Sequence, residues 1–447
     1  MIDRSASNPP AVLLGGTANA VSVARSLSAA GVEVIALGNG GSPVRHSRGC
    51  ARFVDLGREE GVQDRWLAWL LDDGPWGAVV LPCDDDGLEL LVRNRRPLAE
   101  LGYLLIEADD AVVLDMLDKN RTYALAGELG IDAPQTFTVR TPTDVDAVAG
   151  RIAYPCALKP VQSHRFQRRT GSGRKAYVVA DAAELRERFA ETLELGVEML
   201  VTEIIPGGDD QVFGYHSYLD EHGEPLFELT KRKLRSYPVQ FGLGCYHETT
   251  VDQELAELGR AFMRKVGVRG LANVEFKRDA RDGRLKLIEC NHRFTAPNEQ
   301  FRIAGIDIAL FTYCRIARLP TPAVDRYRAG VRLWHPGSDA RAFMALRRRG
   351  ELSLAGWLRS VARRQHFPLF RWDDPQPSLG LHAVRARRLV RKRVAGRLQL
   401  ASPATSVPLS HPSATPSEPR TSRVLELPPA GAGRATHVLV PADDRAA

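Results

Sequence analysis

Residues 271–294 read LANVEFKRDARDGRLKLIECNHRF, and the rest of the chain is best understood outward from them. Apolar and polar residues alternate up to the turn sequence Asp279-Ala280-Arg281-Asp282-Gly283 and resume after it. The pattern predicts a β-hairpin with strands over 272–277 and 285–290. Glu289 and Asn291 stand two apart on the second strand and so share a face. Glu275 projects from the first strand between Val274 and Phe276, and strand pairing brings it toward Glu289. Two carboxylates and an amide oxygen are hard ligands of the kind magnesium takes. The plain alternative is a solvated face whose acids pair with Lys277 and Lys286. The hairpin alone does not choose between the two.

Upstream, Lys159 ends the apolar segment Tyr154-Pro155-Cys156-Ala157-Leu158-Lys159-Pro160, where a buried ammonium needs an anionic partner. The Gly- and Arg-rich run 168–174, with Gly171, Ser172 and Gly173, has the backbone amides and cations of a loop that covers phosphates. An ordinary basic surface loop is the competing reading. Residues 200–210, LVTEIIPGGDD, form a strand that breaks at Pro206-Gly207 and leaves backbone groups free near Asp209 and Asp210. Lys119, after Asp118, says little in isolation.

Toward the N-terminus, an apolar run at 11–14 is followed by Gly15-Gly16-Thr17, helical spacing over 20–30 and strand-like segments at 32–37, 78–81 and 104–106. This is the opening of a parallel α/β layer. Gly15-Gly16 does not form G-x-G-x-x-G, and no acid ends the second strand, so the turn reads as a tight strand-to-helix connection rather than a dinucleotide site. Asp84-Asp85-Asp86 follows a strand end where open α/β sheets place ligands, and such a run could help bind an amine substrate. A helix N-cap is the commoner use of such residues. From about residue 115 the texture is α+β, with helices over 120–129, 182–195 and 253–266 among strands at 156–159, 176–179, 199–205, 211–219 and 226–231.

The chain has 447 residues, 44% of them hydrophobic, which implies several domains in a globular protein. Six scattered cysteines without a C-x-x-C pair read as reduced thiols in a cytoplasmic protein and argue against a zinc site. The net charge of +7 is concentrated at 347–349 and 385–397, so nucleic-acid binding is not expected of the body. The basic region 381–400 could dock weakly on an anionic membrane surface or nucleic acid, but a plain basic surface helix leading into the tail is the commoner reading. Residues 401–447 are Pro/Ser/Ala/Thr-rich and read as a disordered tail.

Taken in order, DKNRT at 118–122, PCALKP at 155–160, the Gly loop near 171, TEIIPGGDD at 202–210 and VEFK…IECNHRF at 274–294 resemble the ATP-grasp superfamily. The likeness is to carboxylate-amine ligases of the carbamoyl-phosphate synthase and D-aspartate ligase type, and runs over 11–320. It implies an α/β and α+β fold: a Rossmann-like domain at 1–115, a two-lobed ATP-grasp domain at 116–322, a basic and mainly helical extension at 323–400, then the tail at 401–447. It further implies that Lys119 and Lys159 hold ATP phosphates, that Gly171, Ser172 and Gly173 cover them, and that Glu203 and Ile205 read adenine through the main chain. Asp209 or Asp210 would bind ribose, and Arg232 or Lys233 would add a phosphate contact. Glu275, Glu289 and Asn291 would ligate magnesium, expected as two ions, with manganese as a substitute. Arg293 would face the transferring phosphoryl group. The activity implied joins small-molecule carboxylate and amine substrates through an acyl phosphate, releasing ADP and phosphate. The alternative is a nucleotide-binding regulator or scaffold without turnover. Two departures from the family pattern, Thr202 at the first hinge position and His292 after the metal-binding Asn, remove no phosphate or metal ligand.

Overall fold

The computed structural model describes residues 8–171 and 175–384. Ser172, Gly173, most of the basic region 381–400 and the tail 401–447 lie outside the described residues. The first sheet comprises β1 (Ala11–Leu14), β2 (Val34–Gly38), β3 (Arg52–Asp55) and β4 (Val79–Pro82), all parallel, in the order β3-β2-β1-β4. β1, β2 and β4 are buried apolar runs, as a sheet covered on both faces requires. The edge strand β3, RFVD, has no such run to announce it. The strand expected at 104–106 reduces to one parallel bridge, Val79 to Leu104. At the β1 turn Gly15 has φ +67°, and a Cβ there would fall 1.8 Å from Asp84 Oδ2. Asp84 accepts hydrogen bonds from the Gly16 N–H at 3.1 Å and the Gly87 N–H at 2.9 Å. It therefore closes this turn and caps the helix Asp85–Arg93 at once. The turn amide is held by a protein carboxylate, as a tight connection would be.

The second sheet is antiparallel: β5 (Thr136–Val139), β6 (Cys156–Pro160), β7 (Tyr177–Val179) and β8 (Met199–Glu203), in the order β5-β8-β6-β7. Helices Pro142–Ala149 and Ala182–Leu193 cover it, with Val145, Leu185 and Phe189 packed on Cys156, Leu158 and Val201. Residues 168–170 correct the sequence reading. They are the last turn of a helix, Ser163–Thr170, which ends at Gly171 in the left-handed conformation (φ +60°).

The third sheet has six antiparallel strands, in the order β13-β12-β9-β10-β11-β14. They are β9 (Val212–Leu219), β10 (Pro225–Tyr237), β11 (Leu243–Thr250), β12 (Gly270–Arg278), β13 (Leu285–Asn291) and β14 (Arg332–Trp334). The hairpin β12–β13 forms where the alternation placed it. The helix Gln253–Val266 spans the expected residues, because Asp252 caps it through the Leu255 N–H and Gly267 ends it in the left-handed region. Its Leu255, Phe262 and Met263 pack on one face of this sheet with Tyr215, Val274 and Leu287. The opposite face carries the polar side chains described below.

Residues after 323 are only partly helical. β14 extends the third sheet, and helices Pro336–Arg348 and Leu354–Val361 follow. Asp339, fully buried, accepts from Arg235 Nε (2.5 Å) and Nη2 (3.0 Å) on β10 and from the indole N–H groups of Trp334 and Trp357, each at 2.9 Å. Asp374 accepts from Arg25 Nε at 2.9 Å and from the Ser47 hydroxyl at 2.6 Å. The segment is thus fastened to the third sheet at one end and to the first layer at the other. Among the described residues no helix is long and apolar enough to cross a membrane.

Candidate functional site

Antiparallel pairing sets Glu275 opposite Glu289 and Asn273 opposite Asn291, so these side chains stand in two rows on one face. The Glu275 row continues through Gly214 on β9 to Lys231 on β10. Gly214 has no side chain, and Lys231 crosses over it to put Nζ 2.7 Å from Glu275 Oε1. Lys233 Nζ lies 3.7 Å from the other oxygen. Burial alone would raise the Glu275 carboxyl, but the two ammonium groups outweigh it and hold the acid well below the usual range. A Cβ at Gly214 would stand 2.8 Å from Lys231 Cε and 3.0 Å from Nζ. Gly214→Ala is therefore expected to displace Lys231 from Glu275 and, under the activity proposed below, to lower ADP release about 10-fold. The thermal midpoint should move little, since the obstacle is a side-chain end. Steady-state ADP release read beside a melting curve checks this.

Neither hairpin acid pairs with Lys277 or Lys286. Lys277 Nζ donates to the Ile205 carbonyl at 2.7 Å, and Lys286 Nζ lies 2.6 Å from Asp279. Strand alternation turns Arg232 to the other face, where it lies 3.8 Å from Glu248, while Lys231 and Lys233 stand on the Glu275 side. Nothing in a run of four cations among five residues, KRKLR, marks which face is which before β10 is paired.

Asp118 caps the helix Lys119–Glu128 by accepting from the N–H groups of Asn120 and Arg121, and so fixes Lys119 in its first turn. Lys119 Nζ donates to Ser163 Oγ at 3.0 Å, at the start of the helix leading to Gly171. Lys159, at the end of β6, donates to the Tyr123 hydroxyl at 2.9 Å. Burial pushes both lysines down to about 8; their mutual repulsion adds to the fall at Lys119, and the Glu289 charge opposes it at both. Glu289 itself accepts from Asn291 Nδ2 at 3.3 Å.

At the hinge, the Glu203 N–H donates to the Gln135 carbonyl at 2.8 Å, and its side chain binds Arg281 and the Gln135 N–H. The Ile205 carbonyl accepts from Lys277, as above. Asp209 is buried, with its oxygens accepting from the N–H groups of Ser236 and Gln240, each at 3.0 Å. Asp210 is exposed.

Arg293 lies just past β13 and reaches the first layer. Its Nε is 2.5 Å from Asp85 Oδ1, in the first turn of the helix Asp85–Arg93. Burial would raise Asp85, but the guanidinium charge and hydrogen bond overcome this and lower it to about 2. The next acid, Asp86, is paired with Arg168, and Glu89, one turn on, accepts from His164 at 3.0 Å and Arg165 at 2.5 Å. The helix leading to Gly171 is thereby docked on the first layer. Sequence reasoning set the acidic run aside as a helix cap. Asp84 is one, but Asp85 and Asp86 face the third and second sheets' arginines, and that pairing joins residues 208 apart for Asp85 and 82 apart for Asp86.

No family model matches the chain. It is 26% identical over 241 residues to a D-aspartate ligase from Enterococcus faecium, covering 52% of this chain and 57% of that one. It is 27% identical over 184 residues to a D-alanine–D-alanine ligase from Chromohalobacter salexigens, covering 39% and 54%. The chain thus spans about half the length of these curated relatives. Among solved structures, the ADP complex of N5-carboxyaminoimidazole ribonucleotide synthetase superposes with a TM-score of 0.56 at 14% identity, covering 74% of this chain and 82% of that one. Motifs, relatives and superposition converge: the chain has an ATP-grasp fold and resembles the carboxylate-amine ligases of that superfamily.

Proposed function

We propose that the protein is an ATP-dependent carboxylate-amine ligase. The observation that carries this reading is the gathering of Lys119, Lys159 and Glu289 from three separate elements beside the Glu275–Lys231 pair and Arg293. In this reading residues 1–115 form the Rossmann-like lead-in and 116–322 the ATP-grasp module. Residues 323–400 form an extension. A cytoplasmic location accords with six unbridged cysteines.

The side chains fit magnesium held jointly with phosphate oxygens. Among the described residues no group of three or more His, Cys, Asp or Glu gathers to hold an ion unaided. Glu289 accepts one long hydrogen bond and has oxygens to offer beside the Asn291 amide, while Glu275 shares its charge with Lys231. Two ions, or manganese in their place, suit such an oxygen donor set. Bound Mg-ATP would supply the γ-phosphoryl group that turns a carboxylate into a mixed anhydride. Lys119 and Lys159 hold the phosphates, and Lys231 and Lys233 fix the Glu275 carboxylate. The hinge at Glu203–Ile205 carries adenine through main-chain groups not already paired. Asp209 is occupied by backbone amides, so Asp210 is the ribose residue. Arg293 holds the reacting carboxylate and steadies the charge that grows on its oxygen as the amine attacks. Gly171, which ends the helix Ser163–Thr170 in the left-handed region, would help exclude water from the anhydride.

The direct test is a screen of carboxylate and amine pairs for ADP release with mass analysis of the product. ATP binding without carboxylate-stimulated ADP release across the screen would favour a regulatory protein instead. A pH dependence follows as well. Phosphate binds the ammonium form of a lysine, and both site lysines sit near 8 rather than at 10.5. Mg-ATP affinity is therefore level below about pH 7, weakens as pH rises through about 8, and binding takes up protons there. Calorimetry in two buffers of different ionisation enthalpy measures both. A dissociation constant unchanged between about pH 7 and 10 would show that no lysine holding the phosphates titrates in that range.

A further inference from the structure

The helix Leu354–Val361 is inverted for a surface helix. Ser353 caps it by accepting from the Gly356 N–H at 3.0 Å, and none of its residues is buried. Its ties to the body are polar or aromatic and lie on one side. The Trp357 indole donates to Asp339 at 2.9 Å and stacks on Phe343 with ring centres 4.8 Å apart. One turn on, the Ser360 carbonyl accepts from the Tyr246 hydroxyl at 2.6 Å and from Arg332 at 2.9 Å. With about 3.6 residues per turn, the opposite arc carries Leu354, Ala355, Leu358, Arg359 and the C-cap Ala362. All five are exposed, and only the arginine is polar. Leu354 is 45% exposed and Leu358 51%, and Met344 on the preceding helix is 48% exposed. A surface helix ordinarily turns its apolar stripe inward and its charges outward. Leucines on the outward side mark a face that a partner covers.

The charge of this segment selects the partner. Residues 341–364 contain seven arginines and a single acid, Glu351. Among the described residues the only ion pair these arginines make is Arg349 with Glu351, at 4.0 Å. Arg347, Arg348, Arg359, Arg363 and Arg364 are all exposed. A nucleic acid would take the cations but offers no apolar layer to the leucines. A second copy of the chain, docked through the same face, would set arginine against arginine. An anionic lipid surface offers both groups in one plane, phosphates for the guanidinium groups and an acyl boundary for the leucines.

We propose that the helix Leu354–Val361 docks the protein on an anionic membrane surface, with Leu354 and Leu358 at the acyl boundary and Arg359, Arg363 and Arg364 on lipid phosphates. The contact is peripheral and independent of the ligase reading. Co-sedimentation of the full chain with vesicles tests it, phosphatidylcholine alone being compared with phosphatidylcholine mixed with phosphatidylglycerol. Binding should be at least about 10-fold tighter to the mixed vesicles and should weaken as salt is raised. Leu354→Ser combined with Leu358→Ser should weaken it about 10-fold. Arg359→Glu combined with Arg363→Glu should weaken it by at least as much. The melting temperature of both variants should stay close to that of the unaltered protein, because all four side chains are exposed. The leucine pair decides between this helix and a purely basic segment such as 385–397, which would hold vesicles by charge alone and be indifferent to the leucines. Mixed-vesicle binding that survives the leucine change therefore overturns the proposal. So does the absence of vesicle binding by the unaltered protein, which needs no variant to fold. In that event a dimer dissolved by the leucine pair in sedimentation velocity would give the face to a second copy, and retention on duplex DNA would give the arginines to nucleic acid.

Discussion

Glu289→Ala is expected to lower carboxylate-dependent ADP release by about 10²- to 10³-fold while leaving the melting temperature close to that of the unaltered protein. Glu289 is the acid that opposes the depressed state of both Lys119 and Lys159, and it stands directly across from Glu275. In the proposed reading its removal takes away an oxygen donor for magnesium. It also leaves two half-buried ammonium groups with less to hold them charged. Both effects act on the phosphates, and neither touches the apolar packing on the far side of β13, where Leu285, Leu287 and Cys290 lie. A coupled ADP assay at saturating magnesium, with circular dichroism on the same preparation, separates activity from folding. Full turnover by this variant would exclude Glu289 from the metal site.

Asp339→Ala is expected to destabilise the protein by about 3–5 kcal/mol. The substitution leaves the Arg235 guanidinium buried without its counter-charge and strands two indole N–H groups at the junction of the extension and β10. An unpaired buried charge costs more than the pair itself contributes, which is why so large a loss follows from one carboxylate. Urea unfolding, read by tryptophan fluorescence because Trp334 and Trp357 both report on this junction, gives the change in midpoint. Asp339→Asn keeps two acceptor lone pairs for the indoles but not the charge and should recover part of the loss. A midpoint within experimental error of the unaltered protein would show that the extension is not fastened there.

How much of this was legible before folding differs by element. The β12–β13 hairpin, the helix Gln253–Val266 and the buried strands β1, β2, β4, β6 and β9 announce themselves through local patterning: alternation, cap residues and short apolar runs. β3, β5, β11 and β14 do not. They are edge strands, or strands of polar composition such as LGCYHETT, and only their neighbours make them strands. Residues 168–170 are similar. Two arginines and a threonine before a glycine suggest a loop, yet Asp86 and Glu89 of the first layer hold His164, Arg165 and Arg168 in a helix.

The candidate site divides along the same line. The sequence by itself determined the residue types and the shared face of Glu289 and Asn291, because a strand's two-residue period is a property of the local backbone. Only the tertiary structure decided that Lys231 and Lys233, not Arg232, reach Glu275, that Gly214 is bare so that Lys231 can cross, and that Asp209 is occupied while Asp210 is exposed. It alone joined Asp85 to Arg293. Those facts depend on which strands lie side by side and on which layer meets which. Long-range pairing of that kind is selected by burial and charge compensation over the whole fold, and no window of local sequence contains it.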